Sequence, residues 1–150
     1  MKISIAMTTY NGEKYINAQL VSLLNQTRQA DEVIIADDRS TDDTSLIVDA
    51  FIAEHHLTNW NFYVNETNLG FVQNFKSVIH KTQGDLIFLC DQDDIWESFK
   101  IRRSIETIVK TGAALVCCDV KVIDGSDKLT YESITNIRKR QVFHNGEGLY

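Results

Sequence analysis

Proline is missing altogether from the 150 residues, and only seven are glycine. A chain so short of both carries no Pro-rich or Gly-rich linker, and it shows no internal repeat, so it reads as one closely packed domain. Cysteine is nearly as scarce. Cys90, Cys117 and Cys118 lie in apolar, strand-like runs without the paired spacing of a zinc site. Adjacent strand residues point to opposite faces, which argues against a Cys117–Cys118 bridge, and three reduced core thiols are expected. No apolar run approaches the ~18 residues of a membrane span. The first ten residues, MKISIAMTTY, carry one lysine and are broken at Ser4 and Thr8, so a strand is expected there and not a signal peptide. Basic residues are in the minority, 15 Lys and Arg against 21 Asp and Glu, for a formal charge of −6. A nucleic-acid partner would require a basic face, and the short run Arg138-Lys139-Arg140 does not supply one. A cytoplasmic protein is expected.

What the chain does have is an ordinary globular core composition, 43% hydrophobic and 24% charged. Short apolar runs alternate with helical patterns. Lys2 to Thr9 is predicted as a strand, followed by an Asn11-Gly12 turn and a helix with Ile16, Leu20, Leu23 and Leu24 on one face. Glu32 to Asp37 is a second strand. The next helix starts in Ser/Thr/Asp-rich capping chemistry and places Leu46, Ile47, Ala50 and Phe51 inward. Trp60 to Asn65 is a third strand, and Asn68-Leu69-Gly70 turns into a helix through Phe71, Phe75, Val78 and Ile79, closed by Gly84. Leu86 to Cys90 is a fourth strand, expected to be buried on both faces. A helix from about Glu97 to Thr111, with Ile101, Ile105 and Ile108 inward, ends at Gly112. Ala113 to Ile123 is predicted as a long strand ending in an Asp124-Gly125 turn. Strands alternating with helices of this length imply βαβ units and a mostly parallel sheet. Residues 1–128 are expected as the core and 129–150 as an irregular tail or the start of a further region.

The most informative stretch is LIFLCDQDDIW, in which an apolar run ends in Asp91, Asp93 and Asp94 within four positions. These acids fall at the carboxyl end of a strand, where open parallel sheets bind ligands, and they repel one another unless a cation lies between them. Mg²⁺ or Mn²⁺ suits such a cluster, taking one or two carboxylates and completing its shell with water and phosphate oxygens. The plainer alternative is that Asp forms the turn and caps the next helix, while Ile95 and Trp96 pin the loop to the core. Other strand ends carry Thr8-Thr9-Tyr10-Asn11, Asp37-Asp38 and Asp119. Tyr10 suits stacking on a base and Asp38 suits accepting a pyrimidine imide N–H, or else Tyr10 is a core-edge aromatic and Asp38 a helix cap.

TTYNGEKYI, EVIIADDRSTDDT, NLGFVQNF and DLIFLCDQDDIW, in this order over about the first 120 residues, resemble the nucleotide-binding N-terminal half of family 2 glycosyltransferases of the GT-A fold. The DQDDIW form is most similar to bacterial polysaccharide enzymes of the rhamnosyltransferase type. The resemblance implies a Rossmann-like α/β fold and metal-assisted, inverting transfer of a sugar from a UDP- or dTDP-linked donor. The acceptor it implies is a saccharide or a lipid-linked molecule, with peripheral membrane contact at the cytoplasmic face. It places Thr8 and Tyr10 at the base, Asp38 at the pyrimidine edge, and Asn68 and Gly70 beside the nucleotide. Asp91 falls near the ribose or metal, Asp93 at the metal, and Asp94 toward the donor sugar. Arg39 stands where relatives often have Gly, and Gln73 where a basic residue is common. The acceptor half and its general base are expected downstream. Glu132 and Glu147 have no surroundings that mark them as that base, so none is assigned. Two other possibilities are a binding module without chemistry and a haloacid-dehalogenase-type phosphatase. The latter needs its Asp-x-Asp after the first strand, whereas here it follows the fourth; a receiver domain likewise needs acids where this chain has Thr-Thr-Tyr.

Overall fold

The computed structural model describes residues 1–124 and 128–131. Gly125, Glu132, Arg138, Lys139, Arg140 and Glu147 lie outside these. The elements run β1 (Ile3–Thr9), α1 (Ile16–Leu24), β2 (Glu32–Asp37), α2 (Thr44–Glu54), β3 (Trp60–Val64), α3 (Phe71–Lys81), β4 (Leu86–Cys90), α4 (Lys100–Thr111), β5 (Val122–Ile123) and β6 (Leu129–Tyr131). The chain divides into two compact units, Met1–Ile101 and Arg102–Tyr150.

In the first unit four strands form one sheet in the order β3-β2-β1-β4. Every pairing is parallel, with Met7 level with Cys90, Thr9 with Asp37, and Asp37 with Val64. The chain steps outward from β1 to β3 and then crosses back to place β4 on the other side of β1. Right-handed crossovers then put α1 and α2 on one face and α3 on the other, as seen in the packing of α1 on α2 and of α3 on β1 and β2. The reversal between β1 and β4 is a topological switch point, where the loops leaving the strands part to form a crevice.

The central strands carry the core. Ile3, Ile5, Met7, Val33 and Ile35 are almost fully buried, joined by Ile16, Leu20 and Leu23 from α1, Val48 from α2, Val78 from α3 and Ile101. Each such aliphatic side chain contributes about 1.5–3 kcal/mol relative to exposure.

The expected helical faces hold at Phe51 and Val78 and differ at other positions. On α2 the buried residues are Thr44, Val48 and Phe51, while Leu46 is exposed. On α3 they are Asn74 and Val78, while Phe71 is exposed. Helix α3 ends at Lys81, and Gly84 serves close approach instead: a Cβ there would lie 2.7 Å from the Ser4 backbone nitrogen. Strand β4 is not buried on both faces. It is an edge strand, α3 covers β1 and β2, and Ile87 and Leu89 remain 42% and 57% exposed.

In the second unit α4 continues to Gly112, whose φ of 68° ends it. Of the predicted strand Ala113 to Ile123, only Val122–Ile123 is strand, paired antiparallel with Leu129–Tyr131. Apolar composition marks β tendency, but a strand needs a paired neighbour, and Leu115 and Val120 are exposed. Cys117 and Cys118 are exposed rather than core thiols, whereas Cys90 is buried.

Candidate functional site

The parallel register brings the carboxyl ends of β1, β2 and β4 to one edge, and hydrogen bonds then tie the loops leaving them together. At β1 and β2, Asp38 N donates to Thr9 O at 2.8 Å. Buried Asp37 accepts from Thr9 Oγ1, from Ser40 N at 2.8 Å and from Ser40 Oγ at 2.5 Å. Ser40 Oγ accepts in turn from Asn11 N, and Asn11 Oδ1 accepts from Thr41 N, each at 2.8 Å. Asn11 and Arg39 occupy the left-handed region, at φ 49° and 64°. That region disfavours side chains with a Cβ, and these two hold it through compensating bonds, among them Arg39 Nη1 to Glu66 O at 2.8 Å.

Asp38 is 3% exposed, and its carboxylate is largely committed within the protein. Oδ1 accepts from Asn65 Nδ2 at 2.8 Å and Leu69 N at 2.7 Å, and Oδ2 accepts from Gly70 N at 2.8 Å. Its backbone carbonyl accepts from Asn68 Nδ2 at 2.9 Å. Asp38 therefore does not cap the helix that follows it. It pins the Asn68-Leu69-Gly70 turn before α3, where Gly70 (φ 75°) is the cap residue. A carboxylate offers about four acceptor positions, so three internal donors leave roughly one for a ligand. Behind it, Asn65 Nδ2 also reaches Asn74 Oδ1 at 2.9 Å, and Asn74 Nδ2 bonds Ala36 O at 3.1 Å. Sequence inspection assigned nothing to Asn65 or Asn74; the signal was an asparagine at a core position of α3.

At β4 the acid loop is braced by the polar side of α1. Gln19 is fully buried; with its amide turned to the orientation that gives both ends a partner, it donates to the Asp94 carbonyl and the Ser22 hydroxyl and accepts from the Trp96 indole N–H at 3.3 Å. Ser22 Oγ accepts from Trp96 N at 3.1 Å, and Gln26 bonds Glu97 O at 3.0 Å and Ile101 N at 3.2 Å. Trp96 is buried 5.9 Å from the Phe88 ring, with Lys100 Nζ 4.0 Å above it. Trp96 pins the loop as expected; Ile95, 48% exposed, does not. Three buried polar residues at positions 19, 22 and 26 recur at helical spacing and were the overlooked sign of this seam.

The acids themselves are electrostatically loaded. Partial burial raises the Asp91 carboxyl above its ordinary value, opposed by the Gln92 N–H at 3.0 Å and reinforced by Asp93 and Asp94. Asp94 is raised by lost hydration on its packed side, opposed by Lys100 and reinforced by Asp93. Asp93 is exposed. Among the described residues no group of three or more His, Cys, Asp or Glu side chains is placed so that it could hold a metal ion. The donor set is all oxygen and partly open, which fits a hard cation that takes one or two carboxylates and leaves positions for water and phosphate. Tyr10 is half exposed and Thr8 is buried beneath it in β1. The structure thus brings Tyr10, Asp38, Asn68, Gly70 and the loop of Asp91, Asp93 and Asp94 to one edge of the sheet. Among the described residues no helix is long and apolar enough to cross a membrane.

The chain has clear relatives in sequence and fold. The chain is 36% identical over 111 residues to the dTDP-rhamnosyl transferase RfbG of Shigella flexneri, covering 71% of this chain and 38% of that protein. Its fold is similar to that of S. aureus TarS in complex with UDP-GlcNAc, at TM-score 0.67 and 29% identity, over 75% of this chain and 32% of that one. It is also similar in fold to the mannosyltransferase PcManGT of Pyrobaculum calidifontis in complex with GDP-Man and Mn²⁺, at TM-score 0.72 and 20% identity, over 81% of this chain and 36% of that one. The chain spans 34% to 55% of the length of the curated relatives it matches first. Residues 4–148 match the family described as Glycosyl transferase family 2, and with the GT-A-type α/β sheet the chain belongs to that family.

Proposed function

We propose that this chain grips the nucleotide-diphosphate sugar, UDP- or dTDP-linked, of a glycosyltransferase acting on a saccharide or lipid-linked acceptor in cell-surface polysaccharide synthesis. The observation that carries this reading is the bonding of the acid loop directly to the β1 loop, where Gln92 Oε1 accepts from Tyr10 N at 2.7 Å and Gln92 Nε2 donates to Tyr10 O at 2.9 Å, with the Asp38 turn alongside. Loops that separately suit a base and a metal diphosphate share one rim. The pyrimidine preference draws on two relatives whose names carry dTDP and UDP-GlcNAc. Asp38 has one acceptor position left for an imide N–H, and exposed Tyr10 offers a ring for the base.

Asp93, with Asp91, would hold Mg²⁺ or Mn²⁺, and Asp94 would face the sugar. Such an ion supplies Lewis-acid stabilisation of the charge that grows on a departing diphosphate. The chain's own residues orient and exclude: Asp38 fixes the Asn68–Gly70 turn, Thr8 closes the floor of the base site, and Trp96 holds the acids at the rim. An inverting transfer also needs a carboxylate to take the acceptor's proton, and no residue of this chain is assigned that task. A second reading is that the chain binds donor without transferring it. Calorimetry with UDP and dTDP, with and without Mn²⁺, tests the binding claim. Affinity that rises with Mn²⁺ in the wild type and no longer does so in Asp93→Ala supports it; binding indifferent to both sinks it.

A further inference from the structure

Within the Asp-x-Asp pattern the middle residue is formally free, and the sequence gives no reason to single out Gln92. The structure does. Gln92 Oε1 accepts from Tyr10 N at 2.7 Å, and Gln92 Nε2 donates to Tyr10 O at 2.9 Å. One side-chain amide thus satisfies both backbone groups of one residue, as a neighbouring strand does in a ladder. Each amide atom faces a partner of the opposite kind, so the pair fixes its own orientation. The bond spans 82 positions of sequence and joins the loop of the acids to the loop of the exposed tyrosine. Gly12 leaves the space for it. A Cβ at position 12 would stand 3.0 Å from Gln92 Nε2 and closer still to Oε1 and Cδ. Gly12 lies outside the positive-φ set, so its lack of a side chain serves this close approach and not a backbone requirement.

We propose that Gln92 is a positioning residue which links the metal-holding acids to the nucleotide-holding β1 loop, so that occupancy of one favours the geometry of the other. The inference rests on the function proposed above. Asp91 and Asp93 flank Gln92 on either side, so the amide that grips Tyr10 also fixes where the two carboxylates leave the backbone. If the amide is lost, the acid loop keeps its Trp96 and Gln19 bracing but loses its register against Tyr10. A ligand with a base at one end and a metal-bound diphosphate at the other would sense that loss only when the metal is present.

The test is UDP affinity by calorimetry, with Mn²⁺ and with the metal chelated, on the wild type, Gln92→Ala, Gly12→Ala and the double variant. In Gln92→Ala the metal-free affinity is expected within about threefold of wild type, while the enhancement by Mn²⁺ falls by about tenfold, within the usual range of coupling between sites. Gly12→Ala evicts the amide and should reproduce this loss. The double variant should be no worse than either single one, since both remove the same pair. An unchanged Mn²⁺ enhancement in Gln92→Ala overturns the inference, as do equal losses with and without metal, or losses that add in the double variant. A wild type that binds UDP indifferently to Mn²⁺ overturns the proposed function and takes the inference with it. Thermal midpoints of all four proteins establish that each is folded.

Discussion

Asp38→Ala removes the acceptor for two backbone N–H groups, Leu69 and Gly70, and for the Asn65 amide, at 2.7–2.8 Å. The bond of Asn68 to the Asp38 backbone carbonyl survives, so the turn is loosened but not released. A buried donor left unpaired costs roughly 1–3 kcal/mol. All three bonds are only partly buried, so water can reach some of the donors, and the low end applies: about 3 kcal/mol in total. For a chain of this size that corresponds to a fall in thermal midpoint of roughly 6–12 °C. Asp38→Asn keeps the shape and one oxygen but turns an NH₂ toward one of the N–H donors. Its loss should be smaller than that of the alanine variant and still measurable. The assay is thermal unfolding followed by circular dichroism, with urea unfolding to check that the slope is unchanged. A midpoint for Asp38→Ala within 2 °C or so of wild type would refute the assignment of this carboxylate as the pin of the turn.

Two further outcomes follow from other parts of the molecule. Burial pushes the Cys90 thiol up to about 12, whereas Cys117 and Cys118 are exposed. At pH 8 a disulfide reagent should therefore titrate two thiols in the native protein and the third only after denaturation; fast reaction of all three would contradict the buried β4 end. Burial tends to raise Glu32, but hydrogen bonds from Ser4 Oγ, Gln83 N and Lys2 Nζ outweigh it and leave the carboxyl below its ordinary 4.5. A depressed folded-state value contributes stability that is complete above 4.5 and is lost as pH falls through the folded value. The stability gap between wild type and Glu32→Gln should accordingly be full near neutrality and close on acidification, and a gap independent of pH would contradict it.

Much of the fold was legible because its signals are local. Val33 to Ala36 is a run too short for a helix and too apolar for a surface strand, and it is a central strand in the structure. The apolar run of β4 looks the same in sequence, yet Ile87 and Leu89 within it are exposed. Which strand takes the edge is decided by sheet order, and no single run encodes that. Helix faces were misplaced where a polar residue took a core position: Asn74 lies inward because it bonds Ala36 O and Asn65, and a hydrophobic pattern cannot register it. Arg39 shows the converse. It stands at φ 64°, a position that suits glycine, and is held there by the bond to Glu66. The polar seam at Gln19, Ser22 and Gln26 went unseen because polar side chains on a helix or just past its end ordinarily signal solvent.

That seam bears on how a loop with three acids within four positions keeps its shape. Asp91 and Asp94 are each pushed toward the protonated form, first by burial and to a lesser extent by neighbouring carboxylates, and like charges so close repel one another. Braces with positive charge would relieve the strain but would also cancel the field that attracts a cation. Gln19, Ser22, Gln26 and Gln92 are neutral, and they grip backbone groups and the indole N–H rather than the carboxylates. Lys100 is the basic residue felt at Asp94, and it stands over the Trp96 ring. The loop backbone is thus held by uncharged contacts, and the compensation the carboxylates receive is partial, from Lys100 at Asp94 and from the Gln92 N–H at Asp91, which suits the cation role proposed above. A turn that merely started a helix would need one of these acids and none of the bracing.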